Sequence, residues 1–165
     1  KNKRRKEWDS MKYSLQLSDA IHILAYIAIF QDSDMLSSEM IAKSIETSAA
    51  NVRKIMSRLK KANLIITQVG KAAPSLARSP EKISLLDIYK SIEGNTNLIQ
   101  VDPKTNPNCI VGANIQETLT ASYTQLQAKV EEEMSHITLD SLLHKIAVLE
   151  IEKRPHNHER IKKFL

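Results

Sequence analysis

The stretch SSEMIAKSIETSAANVRKIMSRLKKANLI, residues 37–65, decides the fold of this chain. Apolar residues recur at helical spacing on both sides of a short polar break, Glu46–Ser48. Ser37 or Ser38 is a suitable N-cap for the first helix, because a serine hydroxyl accepts a hydrogen bond from a free amide of the first turn. The spacing therefore predicts two short helices joined by a tight turn, the second running from Ala49 to about Ala62.

A β-hairpin is predicted directly after these two helices. Residues 64–69 read LIITQV, a β-branched, strand-like run that stops at Gly70. A turn follows, and residues 75–78 can return as a second short strand before Pro80. A broad apolar stripe over residues 15–31 predicts another helix in front. Helix, helix, turn, helix and hairpin form the element order of a winged helix-turn-helix, so we expect a mainly α fold with a small β-hairpin wing.

The second half of the chain reads as a helix, a loop and a long helix. Residues 84–93 are amphipathic, and residues 95–112 form a polar loop without periodicity. From residue 113 to 137 an apolar seam recurs at spacings of three and four, which is close to a heptad pattern over about three and a half heptads. One seam on a long helix cannot bury itself, so we predict a dimerisation helix. Its predicted contacts are Ile115, Leu119, Tyr123, Leu126, Val130 and Met134.

The predicted domains follow from these elements. Residues 1–10 are treated as a disordered or artefactual extension, and residues 11–94 as the winged helix-turn-helix. Residues 95–112 are a hinge or sensor loop, and residues 113–149 hold the dimerisation helix and a short C-terminal helix. The charged tail, residues 150–165, is expected to be loose.

Composition narrows the class of protein. Aromatic residues make up 4% of the chain, and Gly and Pro are scarce, which favours helices over a sandwich or barrel. One cysteine excludes an intramolecular disulfide and suggests the reducing cytoplasm. The most apolar run, residues 20–30, is about half the length that spans a bilayer, so no membrane partner is expected. No phosphate loop, nucleophile–histidine motif or carboxylate pair points to an enzyme.

Charge is concentrated on the helix-turn-helix. Residues 43–61 carry six cationic side chains and one carboxylate, a local charge of +5 that equals the net charge of the whole chain. Such a face suits the phosphates of double-stranded DNA. Ser38 and Ser48 are predicted to contact phosphates, and Lys71 would serve the wing. The candidate groove contacts are Asn51, Arg53, Lys54 and Arg58.

Two other interpretations stay open. The basic helix can be an ordinary solvated face, with Arg53 held in an intramolecular salt bridge, for instance to Glu46. The dimer can also be a protein-interaction module in which DNA binding is weak or lost. The density of Arg and Lys on the predicted third helix argues against the second alternative.

Three stretches carry a family resemblance: residues 37–65, LARSPEKISLLDIYKSIEG at 76–94 and ITLDSLL at 137–143. Together they resemble the bacterial winged-helix regulators that include IscR, NsrR and CymR, the Rrf-two (Rrf2) family, over residues 11–146. The likeness is nearest to the cluster-free, YwnA-type branch. It implies a homodimeric DNA-binding transcription regulator, often a repressor, with a pseudo-palindromic operator. In that dimer the long helix pairs across a two-fold axis and the first helix packs against the partner subunit.

The family's reading positions carry over only in part. Arg53 stands where cluster-binding members place a base-reading Glu, which implies a different operator. Val69 stands where some members place a minor-groove Arg, and Ala72-Ala73-Pro74-Ser75 replaces their glycine-rich wing.

The single cysteine, Cys109, bears on cofactor and effector. Iron–sulfur members carry three cysteines in the loop before the long helix, and Cys109 matches the third of them. Because the other two are missing, the resemblance implies no cluster. The histidines show no metal-binding spacing with Cys109. Cys109 precedes a predicted helix N-terminus, which lowers a thiol pKa. We therefore predict a candidate thiol sensor for an oxidant or small-molecule effector, with a buried packing cysteine as the alternative.

Overall fold

The computed structural model describes residues 3–67 and 73–165, and the side chains of residues 15–67 and 73–165. The predicted mainly α architecture with one small β-hairpin is confirmed. The α-helices are α1 (Lys3–Ile29), α2 (Ser38–Ile45), α3 (Ala49–Lys61), α4 (Leu85–Glu93), α5 (Ile110–His136), α6 (Leu139–Lys153) and α7 (His158–Ile161). The strands are β1 (Ile65–Thr67) and β2 (Pro74–Leu76), and single 3₁₀ turns lie at Pro80–Lys82, Pro155–Asn157 and Lys162–Phe164.

The turn between α2 and α3 is set by serine caps and one left-handed residue. Ser37 Oγ accepts from the Met40 amide at 3.2 Å, so Ser37 is the N-cap and Ser38 is the first helical residue. Glu46 ends α2 with φ of 60°, and its amide donates to the carbonyl of Ala42. This left-handed conformation reverses the chain within one residue. The α3 helix can then start at Ala49, where the sequence predicts it.

The core lies where α1 packs against α2, α3, α4 and the start of α6. Its fully buried side chains include Ile23 of α1, Ile41 of α2, Ile55 of α3 and Ile88 of α4. The strands pair antiparallel, with Ile65 opposite Leu76, and extend this layer as a two-stranded wing.

The start of α4 is joined to the junction of α5 and α6. Ser84 and Asp87 form a reciprocal capping box at the N-terminus of α4. The Leu85 amide donates to the carbonyl of Ile137 at 2.7 Å, and the Leu139 amide donates to the carbonyl of Ile83 at 2.8 Å. These backbone hydrogen bonds hold the end of the long helix against the helix-turn-helix domain.

The long helix begins earlier than predicted. Its first residue is Ile110, because Cys109 has extended backbone dihedrals and acts as the N-cap. The predicted hinge loop of residues 95–112 therefore ends at Cys109. No side chain of α5 is buried, although the helix measures about 40 Å at 1.5 Å per residue. Its attachment to α4 is polar, through an ion pair of 2.7 Å between Lys90 Nζ and Glu131 Oε1.

The first residues of the chain differ from the prediction of a disordered extension. The backbone of residues 3–10 continues α1 as helix, whereas the apolar stripe indicates a start near Leu15. Lys, Arg and Glu are good helix formers, and adding residues to an existing helix needs no new nucleus. Periodicity does not register such a continuation because the segment has no apolar stripe.

The prediction of a loose C-terminal tail is wrong. Within residues 150–165, α6 continues to Lys153 and α7 follows after one 3₁₀ turn. Ile161 is only 3% exposed, and Phe164 packs against the core. Lys163 Nζ donates to the carbonyl of Ala28 at 3.2 Å. Two apolar side chains among many charges are enough to dock the segment on α1.

Replacing Ile161 by Ala tests this docking. We expect the free energy of unfolding to fall by at least about 2 kcal/mol, because a buried isoleucine is lost and a cavity remains. Urea titration followed by circular dichroism measures the change. The control Lys153→Ala alters an exposed side chain and should stay within about 0.5 kcal/mol of the parent. Equal stabilities for the two variants would mean that the tail is not part of the fold.

Candidate nucleic-acid interface

One face of α3 is apolar and buried, and the opposite face is open to solvent. Val52, Ile55 and Leu59 are buried in the core. Ser48 caps the helix by accepting from the Asn51 amide at 3.1 Å. The small residues at the start of α3 keep its N-terminus slim, as entry into a major groove requires. The solvent side of the helix carries Ala50, Arg53, Lys54, Ser57 and Lys61.

Arg53 lies on this exposed face in an ion pair, but its partner is not the predicted Glu46. Arg53 NH1 and Glu39 Oε1 are 3.1 Å apart, and the two side chains are 58% and 65% exposed. An ion pair this open to water contributes little to stability. The guanidinium is therefore available to exchange Glu39 for a phosphate or a base edge. Lys54 is exposed beside it.

Asn51 is placed differently from the prediction. Its Nδ2 donates to Thr47 Oγ1 at 3.1 Å and to Asp19 Oδ2 at 3.3 Å. Both amide protons are thus used to tie the first turn of α3 to α1 and to the preceding turn. A bidentate contact with adenine needs one of these donors, so in this conformation Asn51 orients α3.

Arg58 also differs from the prediction, because its side chain faces the domain. Its NH1 donates to Gln16 Oε1 at 2.9 Å and to the carbonyl of Ile92 at 3.4 Å. It therefore links α3 to α1 and to the end of α4. Charge counting along the sequence cannot distinguish Arg58 from Lys54, because both lie off the most apolar stripe.

Two residues join the exposed face that were not selected from sequence. Ser57 and Lys61 follow Arg53 and Lys54 by one and two helical turns and are exposed. Their spacing from Arg53 places them on its face of the helix, because residues four apart lie side by side on an α-helix. Lys60 instead donates to Thr67 Oγ1 at 2.6 Å and joins α3 to the wing.

The remaining predicted contacts lie at the N-terminus of α2 and on the wing. Ser38 is half-exposed in the first turn of α2, where free backbone amides favour an anion. Lys71, together with Val69 and Gly70, lies outside the described residues, so its role stays a prediction.

Cys109 sits at the start of α5 and is exposed, unlike the buried packing cysteine of the alternative interpretation. The backbone amides of Gly112 and then Val111 lower the pKa of its thiol. The backbone between Asn106 and Gly112 forms a tight turn next to Cys109. A Cβ on Gly112 would come within 2.1 Å of the carbonyl oxygen of Asn106, so only glycine fits there. The geometry presents the thiol to solvent beside free helix amides.

The residues of this chain do not fit a cluster held by three cysteines, because the sequence contains one cysteine. Within residues 15–67 and 73–165, no group of three or more His, Cys, Asp and Glu side chains is arranged around a possible metal position. None of the described helices is both long and apolar enough to cross a membrane.

Comparison with known proteins agrees with this geometry. The model of the Rrf2 family, described as an iron-dependent transcriptional regulator, matches residues 13–145. YwnA of Bacillus subtilis, provisionally named as an HTH-type transcriptional regulator, is 34% identical over 128 residues, which are 78% of this chain and 94% of YwnA.

Solved structures share the fold. A crystal structure provisionally described as a DNA-binding protein superposes with a TM-score of 0.62 at 34% identity, covering 78% of this chain and 98% of its own. CymR, the global cysteine regulator of B. subtilis, superposes with a TM-score of 0.57 at 20% identity, covering 77% and 92% of the two chains. At that identity the likeness to CymR concerns the fold alone.

Proposed function

Because the chain belongs to the Rrf2 family of transcriptional regulators, we propose that it acts in the cytoplasm as a homodimeric repressor on a pseudo-palindromic operator. The observation that carries the proposal is the exposed basic face of α3, with Arg53 and Lys54 directed away from the core. In a two-fold dimer, two such helices enter successive major grooves about one helical turn apart.

The role proposed for each residue in DNA binding follows from the exposure and the hydrogen bonds of its side chain. Arg53 reads a base edge or a phosphate after leaving Glu39, and Lys54 neutralises a phosphate. Ser38 and Ser48, at the N-termini of α2 and α3, position phosphates. Lys71 serves the wing. Asn51 and Arg58 hold α3 at the angle that presents these groups.

Lys54→Ala tests the orientation of α3. We expect weaker binding to all duplex sequences and a slope of log affinity against log salt that is shallower by about one, because one phosphate contact is lost. Fluorescence anisotropy on random duplex DNA at several salt concentrations measures both quantities.

The control for Lys54→Ala is Lys145→Ala, which removes an exposed charge on α6 and should leave the slope unchanged. Equal slopes for Lys54→Ala and the parent would contradict this placement of α3. A parent protein without salt-dependent affinity would favour the alternative of a protein-interaction module.

The dimer is proposed from the long helix. Apolar side chains recur along one side of α5, where Leu126 and Val130 remain 49% and 37% exposed. Ile115, Leu119, Tyr123 and Met134 are half-buried along the same seam. Pairing this seam with that of a second copy removes it from water, which is the usual solution for a single apolar stripe.

The double variant Leu126→Glu, Val130→Glu tests the seam. Placing four carboxylates in the interface should shift the protein to monomer, because charges buried without partners are costly. Analytical ultracentrifugation measures the mass. Ala128→Glu adds a carboxylate on the opposite face of α5 and should leave the dimer intact. A double variant that sediments like the parent dimer would place the interface elsewhere.

We further propose that the regulator responds to thiol modification at Cys109. Exposure and a lowered pKa favour the thiolate, which is the nucleophilic form. Peroxide would oxidise it to a sulfenic acid and be reduced to water. The added oxygen would sit where the loop after α4 enters α5, and would alter operator binding by displacing that loop and the N-terminal end of α5.

Comparison of Cys109→Ser with the parent decides between a sensor and a passive thiol. We expect operator affinity of the parent to fall severalfold after treatment with peroxide or a quinone, and that of Cys109→Ser to stay constant. Equal responses of the two proteins would exclude Cys109 as the sensor.

A further inference from the structure

A cavity of about 440 Å³ lies between α1, α2 and the C-terminal segment. One wall is formed by α1, and Ser44 of α2 lies at its edge. The opposite wall comes from α6, the following 3₁₀ turn and α7, all at residue 146 or beyond. The match to the family model ends at residue 145. The cavity therefore depends on a part of this chain that the family model does not cover.

The apolar part of the cavity contains two aromatic rings. The rings of Tyr26 and Phe30 lie 4.4 Å apart, tilted by 31°, on one wall. The rest of the apolar lining is aliphatic: Ala25, Ile29, Ile146 and Ile161. The volume falls in the range that small-molecule sites occupy, roughly 300–1,000 Å³. A planar hydrocarbon body of one or two fused rings matches these walls.

The carboxylate in the lining is already satisfied. Glu150 accepts from Arg154 Nε at 2.8 Å and from Arg154 NH2 at 2.7 Å, and Asn157 Nδ2 donates to it as well. These hydrogen bonds, together with the Arg154 charge, lower the pKa of Glu150 to about 2. The ion pair stays intact at neutral pH and adds no net charge to the cavity.

Arg160 supplies the uncompensated charge. Its guanidinium lies 5.1 Å from the centroid of the Phe30 ring, and it makes no ion pair with a carboxylate in the described part of the chain. His22 is bonded to Ser44 Oγ at 2.8 Å, and partial burial lowers the pKa of its imidazole against the opposing charge of Asp19, which favours the neutral ring at pH 7. The lining therefore carries one net positive charge at the edge of an aromatic wall.

We infer that this cavity is a binding site for a small monoanion with a flat apolar body, for which an aromatic carboxylate is the simplest chemistry. The apolar body lies against Tyr26 and Phe30 while the carboxylate accepts hydrogen bonds from Arg160. The planar guanidinium matches a carboxylate in a bidentate geometry, as lysine does not. Because Ser44 belongs to α2, the bound molecule lies against the first helix of the helix-turn-helix.

Binding of 2-naphthoate to the full chain tests the site, with 2-naphthalenemethanol as the uncharged probe of the same apolar body. Isothermal titration calorimetry should show saturable binding of one naphthoate per chain with a Kd below about 1 mM. The alcohol should bind at least about tenfold more weakly, because a charge-assisted hydrogen bond is lost.

Variants locate the site. Arg160→Gln should weaken naphthoate binding by about tenfold to a hundredfold and leave the affinity for the alcohol unchanged. Ile146→Glu, at an exposed position of the lining, should weaken naphthoate by charge repulsion. Lys153→Gln removes a neighbouring charge that does not line the cavity and should bind as the parent does. Circular dichroism checks that each variant is folded.

Three outcomes would overturn the inference. They are no saturable binding of naphthoate up to about 1 mM, equal affinities for naphthoate and the alcohol, or naphthoate binding that survives both Arg160→Gln and Ile146→Glu. If either variant fails to fold, the other still decides whether the molecule sits in this cavity.

Discussion

The burial of the apolar face of α3 against α1 is the constraint on which the rest of the structure depends. Val52, Ile55 and Leu59 are buried together with Ile23 and Leu24 of α1. An α-helix completes one turn every 3.6 residues. Burial of these side chains therefore directs Arg53, Lys54 and Ser57 to solvent. The same packing sets the position of α2, because the left-handed conformation of Glu46 makes the turn between α2 and α3 short.

The long helix α5, unlike α3, has no apolar face buried in the core of the chain. None of its side chains is buried, and the groups that hold it to α4 are polar, such as Lys90 with Glu131. Its orientation is instead set at its C-terminal end by backbone hydrogen bonds between residues 83–85 and 137–139. The helix-turn-helix domain and the proposed dimer helix are thus joined by these backbone hydrogen bonds, while Cys109 lies at the opposite end of α5.

Local sequence patterns predict the helices and strands well, but they predict poorly which side chains contact one another. The limits of α3, the hairpin and the capped start of α4 follow from apolar period, turn residues and serine caps, which act within a few residues. Residue type and charge predict DNA contacts for Asn51 and Arg58, yet both side chains bind groups more than thirty residues away. Asn51 donates to Asp19, and Arg58 donates to Gln16 and to the carbonyl of Ile92. The charges of the C-terminal segment predict a loose tail, but the burial of Ile161 outweighs them.

By itself the sequence determined the winged helix-turn-helix order, the basic helix, the unpaired apolar seam and the solitary cysteine, because composition and periodicity are properties of neighbouring residues. Only the tertiary structure decided which cations on α3 face outward, where the tail packs, and that Arg160 stands over Phe30 beside a cavity. Those arrangements join residues from distant parts of the chain. Their free energies come from burial and desolvation, which no local pattern encodes.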